Sequence, residues 1–133
     1  MKLLKRIFGI CETGKPGDDA CWRYAGGKVY LDLSKAEEIS RPGGAMRLEG
    51  KGLPCRVLLF RGLDKGYYAL ENKCTHIGGR RIDPRVEDDR LKCCSVMGSV
   101  FKYNGEVVSG PARKPLTMLE VVSRENELLV DIP

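Results

Sequence analysis

Two short stretches of this chain carry side chains that bind soft metals or exchange electrons. Lys73-Cys74-Thr75-His76-Ile77-Gly78-Gly79 sets a thiol and an imidazole one residue apart. Lys92-Cys93-Cys94-Ser95-Val96-Met97-Gly98-Ser99 sets two adjacent thiols ahead of a thioether. Thiolates bind iron and zinc strongly, imidazole binds both, and a thioether is a weak ligand. Each stretch borders strand-like apolar sequence, so two turns closing over one metal centre are expected. The chain has 6 cysteines, and in a cytosolic protein these are more often metal ligands or redox groups than disulfides. It has 1 histidine, His76, so a metal site within one chain has at most one imidazole.

The elements that must position these groups read as strands and turns. "KVYLDLS" (residues 28–34) alternates apolar and polar residues like a half-buried strand. Ser34 and Glu37 have the spacing of a capping box, which predicts a short helical turn over "SKAEEIS". "AMRLEG" is a candidate strand, and "CRVLLFRG" (55–62) a stronger one with a continuous apolar centre. A turn around Asp64 leads from it into "GYYALEN", predicting a hairpin. Residues 73–90 are polar and read as one long loop. "RLKCC" and "GSVFKY" then flank the second cysteine loop, and Asn104-Gly105 signals a type I′ turn into "EVVSG". After the Gly/Pro-rich "GPARKP", the last segment reads as two strands joined at Arg124-Glu125-Asn126. The whole reads all-β.

With 133 residues, the chain is long enough for one core without metals or disulfides to staple it. A net charge of +5 with interleaved signs is consistent with steering toward an acidic partner. No basic run with interleaved aromatics supports nucleic-acid binding. The apolar pieces of "MKLLKRIFGI" are too short for a signal-peptide core or a membrane span, so a cytoplasmic location without a span is expected. Cys11, Cys21 and Trp22 lie in an extension with no clear period. Its two cysteines are expected to be free thiols, with a disulfide or a cap over the site as the other options.

"CTHIGG … CCSVMGSVFKYNGEVVSGPARKPL" resembles the Rieske [2Fe–2S] domain, in its small ferredoxin branch. That family's pattern is Cys-x-His, a spacer, then Cys-x-x-His-Gly-Ser, with two histidines on one iron. Cys74, His76 and Cys94 match it, and Met97 stands where the second histidine belongs. The resemblance implies a fold of stacked antiparallel sheets over 28–133, a cluster-binding subdomain at about 72–115, and 1–27 as an N-terminal extension. It implies Ser99, Gly98, Phe101 and Pro111 around the ligands. Phe101 stands where high-potential members carry a tyrosine, which implies a lower potential here.

Four site readings stay open. The cluster is held by Cys74, His76, Cys94 and Met97, or Cys93 is the fourth ligand. The same Cys/His set holds zinc, or there is no metal and the fold serves as a partner-binding or thiol-redox module. The resemblance implies a single-electron carrier for a redox partner protein rather than an enzyme. Arg80, Arg81 and Arg85 offer a docking face for an acidic partner, and Asp83, Glu87, Asp88 and Asp89 dilute it to a mixed solvated face.

Overall fold

The run Val57-Leu58-Leu59-Phe60 is buried at every position because its strand lies between two apolar clusters. Val57 and Leu59 face one cluster, while Leu58 and Phe60 face the other. A strand covered on both faces needs apolar residues without alternation, and that explains the continuous apolar centre of "CRVLLFRG". The computed structural model describes residues 11–75, 78–85, 88–95 and 98–133. Among them are twelve strands and three short 3₁₀ turns, and no α-helix.

The strands are β1 (Trp22–Ala25), β2 (Lys28–Asp32), β3 (Ala45–Leu48), β4 (Val57–Arg61), β5 (Tyr67–Glu71) and β6 (Ile82–Arg85). They continue as β7 (Arg90–Cys93), β8 (Val100–Lys102), β9 (Val107–Ser109), β10 (Met118–Leu119), β11 (Val121–Arg124) and β12 (Glu127–Asp131). Three four-stranded antiparallel sheets form, ordered β1-β2-β12-β11, β10-β5-β4-β3 and β6-β7-β8-β9. The all-β expectation and the β4–β5 and β11–β12 hairpins are present. The middle sheet shares one core with the terminal strands and the other with the sheet that carries the cysteine loops.

Four local expectations are corrected. Residues 73–90 are not one loop, because β6 pairs with β7 within them. Pro84 hides this strand from a sequence reading. A proline donates no backbone hydrogen bond, and β6 tolerates one as the outer strand of its sheet. The helical turn at 33–39 is two 3₁₀ turns, and Asp32 rather than Ser34 caps the first, accepting from Ser34 N at 2.9 Å. Asn104 is not in the left-handed region that a type I′ turn requires; Gly105 alone is, at φ 93°. The two-residue turn with both central residues at positive φ joins β1 to β2 instead, at Gly26 (57°) and Gly27 (78°). Strand pairing therefore begins at Trp22, upstream of Lys28.

Candidate metal centre

Strand alternation aims the first sulfur. Leu91 and Cys93 lie two apart on β7, and both point into the core between the middle sheet and the loop-bearing sheet. Cys93 N donates to Ser99 O at 2.9 Å, closing the second loop. A Cβ on Gly98 would stand 2.6 Å from Cys93 O, so this close approach requires glycine. The first loop is closed by Cys74 N donating to Arg80 O at 2.7 Å. The proline loop ties to both. Ala112 N donates to the buried Ser99 Oγ at 2.9 Å, and the Thr75 hydroxyl donates to Lys114 O at 2.6 Å. Phe101 is fully buried beneath this arrangement, and Pro111 is exposed above it.

Cys74 and Cys93 lie in one apolar cluster with Leu58, Phe60, Ile82, Leu91 and Phe101. They are 0% and 1% exposed, and their thiols lie beside each other. Burial pushes the Cys93 thiol up and the Cys74 thiol beside it adds to this, while Ser95, 3.6 Å away through its hydroxyl, opposes it. Without a metal, Cys93 is therefore a neutral thiol at pH 7. Metal binding would displace its proton.

Cys94 points elsewhere, as the next residue of an extended chain must. Its N–H donates to Arg81 O at 2.9 Å, and its sulfur forms a disulfide with Cys11 across 83 residues, with Cα atoms 5.3 Å apart. The expectation of a free Cys11, or of a Cys11 paired with Cys21, is corrected here. Cys21 is a free thiol in the other core, where burial first and the Glu38 charge second push its pKa up to about 11. A sulfur in a disulfide offers no thiolate, so Cys94 in this state is not a metal ligand. His76 and Met97, the remaining expected ligands, lie outside the described residues.

The extension after Cys11 crosses the outer edge of the loop-bearing sheet. Glu12 N and Thr13 N donate to the two carboxylate oxygens of Asp83 at 2.8 and 3.0 Å. Arg47 N donates to Gly14 O at 2.9 Å. The Asp83 carboxylate and the Cys11 and Cys94 sulfurs lie within 4.8 Å of one another. No spacing in the sequence signals Asp83 or the Cys11 pairing, because their partners are 70 or more residues away.

The arginines beside the first loop are engaged. Arg81 makes two hydrogen bonds to Glu49, at 2.7 and 3.1 Å, and Arg85 pairs with Asp88. The Arg81 hydrogen bond holds the Glu49 carboxyl below its ordinary range. A depressed carboxyl contributes stability above its unfolded value and loses it as pH falls through the folded one. Replacing Arg81 with Met is therefore expected to lower stability at neutral pH by roughly 1 kcal/mol for this partly exposed pair. The gap from wild type should close in acid. Urea midpoints at neutral pH and below the ordinary carboxylate range check this, and an equal gap at both contradicts it.

These donors set what the centre can hold. Two buried, mutually facing thiols fit a thiolate pair on one metal. A set with two histidines does not fit a chain with 1 histidine. The sequence matches the family described as "Rieske [2Fe-2S] domain" over residues 30–122, most of its length. The chain belongs to the Rieske [2Fe–2S] domain family. Within it, the chain is 29% identical over 105 residues to the cytochrome b6-f complex iron-sulfur subunit of Synechococcus elongatus, covering 77% of this chain and 57% of that protein. It therefore spans little more than half the length of that relative. Among solved structures, the ferredoxin of carbazole 1,9a-dioxygenase from Nocardioides aromaticivorans IC177 has a TM-score of 0.61 at 20% identity, covering 78% of this chain and 98% of that one. A chain from the complex of reduced oxygenase and oxidized ferredoxin in carbazole 1,9a-dioxygenase has a TM-score of 0.59 at 26% identity, covering 77% and 92%.

Proposed function

We propose that this chain is a single-electron carrier holding a [2Fe–2S] cluster with an atypical ligand set that includes Cys74, Cys93 and His76. The observation that carries the reading is the pair of buried thiols, Cys74 and Cys93, side by side in one apolar cluster under the closed loops. When bound, such a cluster supplies one-electron transfer. The chain's own residues hold the sulfurs in register, exclude water with Phe101 and Leu91, and fix the cover loop through Ser99 and Thr75. Met97 is given no ligand role, because a neutral thioether is a poor ligand for ferric iron. The cluster-free thiol-redox module is supported by one observation, the Cys11–Cys94 disulfide.

An oxygenase role is not part of the proposal. A two-histidine, one-carboxylate iron site needs more histidines than this chain has. The partner is a redox protein. The exposed Lys73 and Lys114 flank the first loop and favour an acidic face on that partner. A cytoplasmic location stays part of the proposal. No helix among the described residues is long and apolar enough to cross a membrane. Reductive titration of the anaerobically prepared, dithiol-treated protein is the test. Uptake of about one electron per chain with a half-integer-spin resonance signal is expected of a [2Fe–2S] centre. A spectrum unchanged by reductant would overturn the reading.

A further inference from the structure

Cys94 and Asp83 lie on the face of the loop-bearing sheet that the Cys74–Cys93 pair does not occupy. Across β6 and β7, Ile82 pairs with Cys93 and Asp83 with Lys92. Cys94 N donates to Arg81 O at 2.9 Å, which carries that register one residue further. Cross-strand partners point to the same side, and neighbours along a strand to opposite sides. Ile82 and Cys93 face the inner core. Arg81, Asp83 and Cys94 therefore face the other way, where the extension brings in Cys11. We propose that Cys11, Cys94 and Asp83 form a second metal site, separate from the Cys74–Cys93 centre, that takes a zinc-type divalent cation once the disulfide is reduced. The electron-carrier reading is not needed for it.

The two sulfurs and a carboxylate oxygen of Asp83 lie within 4.8 Å of one another. Zinc bonds of about 2.3 Å to sulfur and about 2.1 Å to oxygen put tetrahedral donors roughly 3.5–3.8 Å apart. Sulfurs released from the disulfide separate into that range while their Cα atoms, 5.3 Å apart, stay close. Asp83 is already oriented. Its two oxygens accept from Glu12 N and Thr13 N at 2.8 and 3.0 Å, and each oxygen keeps a lone pair for a metal. Arg47 N donates to Gly14 O at 2.9 Å, so the residues after Cys11 are held to the domain independently of the sulfur bond. Two thiolates and one carboxylate suit zinc rather than calcium or magnesium, which take all-oxygen shells. A water fills the fourth position.

The disulfide is the metal-free form of the site. A dithiol reductant passes two electrons and two protons to the sulfur pair and leaves as its own disulfide. The cation then displaces both thiol protons to solvent.

The test uses the full chain carrying Cys93→Ala, which disables the first centre, and cobalt(II) as the probe. The protein is reduced with a dithiol, freed of it and kept without air. It is expected to bind about one cobalt per chain with sulfur-to-metal absorption. Adding Cys11→Ser is expected to abolish that absorption, and adding Asp83→Asn to weaken binding at least about tenfold. Zinc is expected to displace the cobalt and to slow amide exchange at Glu12 and Thr13. No such absorption in the reduced chain, or absorption that Cys11→Ser leaves intact, would overturn the site and leave the carrier reading standing. Cys11→Ser alone is expected to leave the iron content of the otherwise unsubstituted protein unchanged. Iron lost with Cys11 would overturn the separation of the two sites.

Discussion

Replacing Cys93 with alanine is expected to leave the protein without iron, while Met97→Leu keeps it. Family spacing alone would reverse the emphasis, since it assigns the second-loop positions to Cys94 and Met97. The structure gives the inward position to Cys93, through β-strand alternation with Leu91, and puts its thiol against that of Cys74. Removing one thiol of a facing pair leaves a single anchoring sulfur, and ligand loss of this kind commonly abolishes binding outright. Folding should survive, because alanine removes only a small sulfur from this core. Iron content and the visible spectrum of both variants, prepared together without air, check this. Iron retained by Cys93→Ala and lost by Met97→Leu would contradict the assignment.

Gly110→Ala is expected to destabilise the domain by about 2–4 kcal/mol, combining a left-handed residue penalty with overpacking. Gly110 has φ 95°, and a Cβ there would stand 2.5 Å from Ser99 Cα and 3.1 Å from Ser99 N. Both atoms are backbone, so neither yields cheaply. The displaced loop would also draw Ala112 N away from Ser99 Oγ. Thermal unfolding should show a fall of several degrees, together with faster amide exchange at Ala112. A melting temperature equal to wild type would show that the loop accommodates the methyl group.

The strand plan was legible wherever local pattern and tertiary surroundings agree. β2, β3, β4, β5 and the β11–β12 hairpin follow from alternation, apolar runs and turn residues. β6 was not legible because its Pro84 and charged residues are those of a polar loop, and only pairing with β7 makes it a strand. The turn residues misled at Asn104-Gly105, where Asn104 Oδ1 accepts from Glu106 N and Asn104 stays out of the left-handed region. Gly26-Gly27 carried the same signal in a stretch read as an extension.

At the site, the cysteines were legible but their division of labour was not. Adjacent thiols on an extended chain must diverge, yet nothing local says which one faces inward. Burial decides it, by aligning Cys93 with Leu91 over Phe101. The pairing of Cys94 with Cys11 depends on a chain crossing held by Asp83, 70 residues away from Thr13. Such contacts leave no trace in spacing.

The most direct test of the central claim is a count of iron and acid-labile sulfide in the full chain, prepared without air and treated with a dithiol. The account predicts about two irons and two sulfides per chain, as a [2Fe–2S] centre requires. Protein free of iron and sulfide from an iron-replete preparation, or protein carrying zinc in their place, would contradict it.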